Sequence, residues 1–418
     1  MIYLAICARE EYNISCFSSH LKYLKPMETC SDMILPLHGP VLLSFTDSDI
    51  SPISPSNPSH IHRLPAELLQ HIFLLIVNDV SECPSIFSFG DTTVSANFTS
   101  PPLVFTHVCR LWRIVAQSTT RIWSRIQVGL PGRAEPFKPF LTSLLQSWLA
   151  YSGSCPLTLR IDATQRQCPI RRCSRYKPYT LEFTKGDSQL LEILLAERKR
   201  WEAVAVMSRL LARYGGRNFD TPRLSTLECS WWDIKRFNAP HLSRLRIVDP
   251  YLHDINVRSI PTCKNIRHIH IQSASVYAIR CILDVFPDLE SIMVDVILSA
   301  SGDGATTVTH PCLESMTLPL ASNPHLRGIF IELFKGLHLP MLWKLTVVGE
   351  PKKPEVDCIV KALEGASCRV RVVDFQTDLL VSEVDKDIVR PLFSVAREMT
   401  LCGHWESAVL SCPLRLHM

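Results

Sequence analysis

Six copies of one apolar pattern constrain this 418-residue chain more than any other feature. The pattern L-x-x-L-x-L, with other apolar residues standing in for Leu, starts at Leu224, Leu242, Ile266, Leu289, Leu313 and Leu342. The intervals are 18, 24, 23, 24 and 29 residues. In five of the six copies a Pro stands two positions earlier: Pro222, Pro240, Pro287, Pro311 and Pro340. Alternation within each copy predicts a strand with one apolar face. The segments between copies carry helical spacing. SVYAIRCILDVF sets Val276, Ile279, Leu283 and Phe286 on one side, and HLRGIFIELFKGL does the same with Leu326, Ile329, Phe330, Leu333 and Leu337. Neither element can bury its apolar face alone, so neighbouring units have to stack to complete a core. The Pro is expected to end the preceding helix and let the strand begin.

Upstream the pattern differs. Ile61 opens IHRLPAELLQHIFLLIVNDV, a predicted helix with Pro65 in its first turn, where a missing N–H costs nothing. Leu68, Ile72, Leu75 and Ile76 are expected to form its buried face, and Asn78 and Asp79 to close it. Residues 80–100 are small and polar and read as a loop. Pro101 and Pro102 open a second predicted helix, with Leu103, Val108, Leu111, Trp112 and Val115 on one side, and TTRIWSRIQV makes a short third element. An amphipathic helix follows with Leu141, Leu144, Leu145 and Trp148, then the alternating strand CPLTLRID, then a second helix leading to the strand-like WEAVAV. Residues 1–59 show no sustained period. Their Ser/Pro/Asp-rich end reads as a disordered segment.

Composition narrows the function classes. A net charge of only +4 argues for neither nucleic acid nor a membrane surface as partner. No stretch reaches the ~20 apolar residues of a membrane helix. The apolar start MIYLAIC is short and runs into Arg9, Glu10 and Glu11, so no signal peptide is expected. The 16 cysteines include no C-x-x-C, and Cys109, Cys229 and Cys281 lie in apolar runs. Reduced, buried thiols in the cytoplasm or nucleus are the expectation. No Gly-rich phosphate loop, nucleophile elbow or H-E-x-x-H motif occurs, so no catalytic residue and no cofactor are expected. The pairs His60-x-His62 and His268-x-His270 supply only two ligands each, short of the three or four a metal needs. Arg166, Arg171, Arg172, Arg175 and Lys177 read as a solvated loop. Trp232 falls at a core position of its copy and is expected to be buried, while Trp231 is undecided.

Residues 61–127 resemble the F-box. The start Leu64-Pro65-Ala66-Glu67-Leu68-Leu69, the pair Ile72-Phe73, and the block Val108-Cys109-Arg110-Leu111-Trp112-Arg113 follow that family's pattern, and Ser118 to Trp123 looks like its closing segment with Thr120 in place of Pro. The loop between the blocks is longer than the family's usual connection. Ser152-Gly153-Ser154-Cys155-Pro156-Leu157-Thr158-Leu159 is similar to a segment of the large fungal-type F-box group. The copies from Leu224 onward resemble leucine-rich repeats, but the family's Asn or Cys position holds Trp232, Pro250, Ala274, Ile297, Ala321 and Glu350, so an irregular arc is expected.

The resemblance implies an α plus α/β chain: a disordered segment over 1–59, an F-box over 60–128 with its loop near 80–100, and an irregular leucine-rich-repeat-like α/β solenoid over 129–418. It implies the substrate receptor of a Skp–cullin–F-box (SCF-type) ubiquitin ligase. Leu64, Pro65, Leu68, Ile72, Phe73, Val108, Cys109 and Trp112 would bind a Skp-type adaptor and, through it, a cullin, while the repeats hold a protein substrate. The alternative is a repeat scaffold whose F-box no longer engages the adaptor. Aligning the copies sets Arg244 beside His268 and Arg246 beside His270 on the face opposite the Leu positions, a candidate substrate surface for an acidic or phosphorylated segment. Glu228, at the matching position one strand earlier, is the expected neutralising partner of Arg246.

Overall fold

The computed structural model describes residues 64–79, 82–89, 93–132, 139–163, 184–206, 211, 217–249, 252, 263, 265–298, 307–320, 328–366, 368, 370–377, 386–403 and 414–417. Residues 1–59, the pair His60 and His62, the basic run 166–177, Pro250, Ala321 and Leu326 lie outside them. The chain is a mixed α/β protein built on one large, almost wholly parallel sheet.

Helix α1 spans Ala66–Asp79. Pro65 stands just before it and its carbonyl accepts the first amides, from Leu68 at 3.1 Å and Leu69 at 3.2 Å. Its buried face is Leu69, Phe73 and Val77, not the Leu68–Ile72–Leu75 row expected from the sequence. Phe73 decides this. Its ring stacks on Phe105, with centroids 4.3 Å apart, and meets Trp112 edge-on at 4.9 Å. Residues 80–100 are not simply a loop, because strands β1 (Phe87–Phe89) and β2 (Val94–Ala96) pair there as an antiparallel hairpin.

The second expected helix is two. α2 is Leu103–Thr106 and α3 is Arg110–Ser118. Cys109 between them is extended, and its Sγ accepts the Trp112 N–H at 3.5 Å, capping α3. Val108 falls in the break and is exposed rather than on the buried side. A 3-10 turn over Thr120–Trp123 leads into β3, Arg125–Leu130. The domain boundary expected at 128 therefore falls inside a strand.

From β3 the chain alternates. In order come α4 (Phe140–Tyr151), β4 (Leu157–Ala163), α5 (Lys185–Ala196), β5 (Trp201–Val206), β6 (Phe219–Asp220), β7 (Thr226–Cys229), β8 (Phe237–Asn238), β9 (Arg244–Ile247) and β10 (His268–Ala274). Then follow α6 (Val276–Val285), β11 (Ser291–Ile297), β12 (Val308–Thr309), β13 (Ser315–Pro319), α7 (Ile329–Phe334), β14 (Leu337–His338), β15 (Lys344–Val348), α8 (Lys353–Gly365), β16 (Val372–Thr377), α9 (Lys386–Val389), β17 (Glu398–Gly403) and β18 (Leu414–His417).

Twelve of these strands form one sheet in the order β3-β4-β5-β7-β9-β10-β11-β13-β15-β16-β17-β18, each new strand beside the last. Every pair is parallel except β17 with β18. Two-residue strands form separate parallel pairs, β6 with β8 and β12 with β14.

The six apolar copies coincide with six strands. Their first apolar residues, Leu224, Leu242, Ile266, Leu289, Leu313 and Leu342, are completely buried, and so are those at the second and third positions to within 2%. The prolines act in turns. Leu224 donates to Thr221 O, Leu242 to Ala239 O, Leu289 to Phe286 O and Leu342 to Leu339 O, at 3.1–3.2 Å. Pro is the second residue of each turn, where its fixed φ fits. Only Pro287 follows a helix closely. Pro222, Pro240, Pro311 and Pro340 follow the short strands β6, β8, β12 and β14 instead. Buried Arg280 on α6 ties two units together by donating to Leu333 O at 3.2 Å and Lys335 O at 2.5 Å, at the end of α7.

Candidate functional site

Two surfaces collect the residues singled out from the sequence. The first is the outer side of α1. Residues 64, 68, 72 and 75 recur at helical spacing on the side facing away from Leu69, Phe73 and Val77. Leu68 is 51% exposed and Leu75 57%, while Ile72 is half-buried and Leu64 is half-buried against the core. Pro65 is exposed at the helix start. Nearby, Val108 in the break between α2 and α3 and Ile114 on α3 are exposed as well. Phe73 and Trp112, expected to touch a partner, lie in the core instead, and Cys109 is occupied as the cap of α3. These three can shape the surface from below but do not present it. Leu75 was expected inside and Ile114 was not singled out, yet both belong to the exposed apolar set.

The second surface is the face of the large sheet opposite the apolar strand positions. Parallel pairing puts Arg244 beside His268 and Arg246 beside His270, the juxtaposition expected from aligning the copies. Glu228 lies beside Arg246 on the other side and pairs with it at 3.4 Å. His270 Nε2 meets Asp295 Oδ1 at 2.7 Å, and His268 Nδ1 meets Ser291 Oγ at 2.8 Å, with Glu290 at 3.9 Å. Carboxylates therefore hold Arg246 and His270. Asp295, on the strand after β10, is the partner the sequence alignment missed. Arg244 is exposed and has no side-chain hydrogen bond or ion pair among the described residues. Its lateral neighbours in the register are Thr226 and His268.

The same face is laced with charge further along. Arg160 pairs with Asp162 at 3.2 Å, Arg267 with Glu290 at 2.7 Å and Lys344 with Asp374 at 3.5 Å. The more exposed pairs, Arg160–Asp162 and Arg267–Glu290, add little stability, about 0–1 kcal/mol each, but they neutralise the face locally.

Trp232 reverses the expectation of burial, and Trp231, left undecided by the sequence, is the buried one. Trp231 is 4% exposed, and Trp232 is 52% exposed on the turn that follows β7. Asp249 fixes that turn by accepting from Ser230 Oγ at 2.7 Å and Trp231 N at 2.6 Å. Among the described residues no group of three or more His, Cys, Asp or Glu side chains is placed to hold a metal ion, and no helix is long and apolar enough to cross a membrane. No protein-family model matches this chain, and no curated protein matches it either.

Proposed function

We propose that the chain is the substrate-recognition subunit of an SCF-type ubiquitin ligase, with an F-box over 60–128 that binds a Skp-type adaptor and an irregular leucine-rich-repeat solenoid that holds a protein substrate. The chain itself carries out no chemistry in this proposal, and it works in the cytoplasm or nucleus. The observation that carries the reading is the apolar row on the outer side of α1. A helix that already buries Leu69, Phe73 and Val77 keeps Leu68 and Leu75 more than half exposed on another side. An apolar row of that kind marks a protein contact. The motif residues Leu64, Pro65, Leu68 and Ile72 belong to this row or to its start. Each Leu side chain covered by a partner contributes about 1.5–3 kcal/mol. The sequential parallel sheet, with two apolar residues buried in each of six strands and a third in the turn before it, supports the repeat reading. Its opposite face would receive substrate, with Arg244 as the cation open to a carboxylate or phosphate oxygen.

The test is a pull-down of a recombinant Skp-type adaptor by the full chain. The wild type should retain the adaptor, and Leu68→Glu with Leu75→Glu should release it while the melting temperature holds, since neither side chain is in the core. Arg244→Glu should leave adaptor binding intact. Adaptor retention by the double variant would refute the assigned surface. A wild type that never binds adaptor would leave the scaffold alternative.

A further inference from the structure

We propose that residues 82–89 cap the edge of the large sheet and thereby stop a second copy of this chain from pairing with β3. The proposal rests on the edge itself and not on the ubiquitin-ligase reading. β3 is the terminal strand of the twelve-stranded sheet. A terminal strand presents a row of outward N–H and C=O groups, and such an edge recruits other strands unless it is covered. Here the middle of the edge is covered on both counts. Gln127 N–H donates to Pro84 O at 2.8 Å, and Ile86 N–H donates to Gln127 O at 3.0 Å, so that Ser85 bridges Gln127 in parallel.

The segment is locked in place by its own core. Ile86 is completely buried, and Phe87 and Val94 nearly so. The β1–β2 hairpin closes onto the same segment through Asn97 N–H to Ile86 O at 2.8 Å. Phe89 lies across the strand, and a Cβ on Gly129 would stand 2.5 Å from its Cε2. Glycine at 129 is thus the one residue type that lets the ring come this close to β3. Arg125, at the start of the strand, donates to Val77 O at 2.8 Å and anchors the end of α1 to the same edge. At the other end of the sheet, the antiparallel β18 interrupts the run of parallel strands. The long connection between the two F-box-like blocks therefore has a use, which is to finish a sheet that begins some forty residues further on in the sequence. Removing the cap would expose Gln127 together with the apolar residues Ile126, Val128 and Leu130 of a ready template, and the occupant most available to a purified chain is a second copy of itself.

The experiment uses the full chain in three forms: wild type, Ile86→Pro, which deletes the N–H that reaches Gln127 O, and Phe89→Ala, which uncovers Gly129. Two quantities are measured: amide hydrogen exchange resolved to β3, and molar mass by light scattering across a concentration series. The wild type should be a monomer with the Gln127 amide protected. In Ile86→Pro the Gln127 amide should exchange about 100-fold faster while β10 and β11 stay protected, and the molar mass should rise with concentration. Phe89→Ala should shift both quantities in the same direction by less. If Ile86→Pro loses protection in β10 and β11 too, Phe89→Ala decides on the same two readouts. A variant whose Gln127 amide opens while the chain stays monomeric at every concentration overturns the proposal, and so does a Gln127 amide that stays protected in the deciding variant.

Discussion

His310 offers a sharp test of how the repeats are held together. It is completely buried. Its Nδ1 accepts the Leu313 N–H at 3.0 Å, so the ring proton sits on Nε2, which donates to Phe286 O at 2.9 Å. In four other copies the corresponding amide is satisfied by a backbone carbonyl, as Leu224 is by Thr221 O. Here the imidazole takes the carbonyl's place and also reaches back to the preceding turn. His310→Leu keeps an apolar side chain in the space but leaves the Leu313 N–H buried without an acceptor, at a cost of about 1–3 kcal/mol. The bond to Phe286 O adds about 1 kcal/mol, softened because Phe286 O keeps Leu289 N–H at 3.2 Å. The expected loss is about 2–4 kcal/mol. His310→Asn can set its side-chain oxygen over the same N–H, as Asn does in turns, and should lose only about 1–2 kcal/mol. Urea unfolding of the three chains measures both. Asn leaves the larger cavity, so packing alone would make it the worse substitution. An Asn variant as unstable as the Leu variant would refute the role assigned to the Leu313 bond.

Trp231→Ala should destabilise the chain by about 3–5 kcal/mol, because it empties a buried site that meets Phe286 edge-on. Trp232→Ala should change stability by no more than about 0.5 kcal/mol, and the opposite ranking in urea unfolding would overturn their assignment. Burial pushes the Cys368 thiol up to about 11 and Cys229 well above its ordinary value. At pH 8 only about one Cys368 in a thousand is thiolate, so iodoacetamide should label both residues in urea but not in the folded chain. Prompt labelling of the native protein, read by peptide mass spectrometry, would show that the fold does not shield buried Cys229 and half-buried Cys368.

The sequence by itself determined the strands of the repeat region. L-x-x-L-x-L is a local pattern, and a strand's period of two puts its second and third apolar positions on one face, while the first lies in the turn that leads into each strand. The same pattern set the register, since aligning the copies brought Arg244 beside His268 and Glu228 beside Arg246 before any contact was known. What the tertiary structure decided were the cases in which two local answers were equally good. HIFLLIV in α1 is apolar on more than one side, and only Phe105 and Trp112 select Phe73 over Leu68 for the core. Trp231 and Trp232 are adjacent and identical in composition, and the turn held by Asp249, some eighteen residues on, sends the first inward. FSF and VSA are too short and too polar in context to be recognised as strands, because the edge that holds them is β3, which the chain reaches some forty residues later. Local periodicity can say that a residue is apolar and on a face. Which face is covered depends on what the rest of the chain brings to it, and that choice exists only in three dimensions.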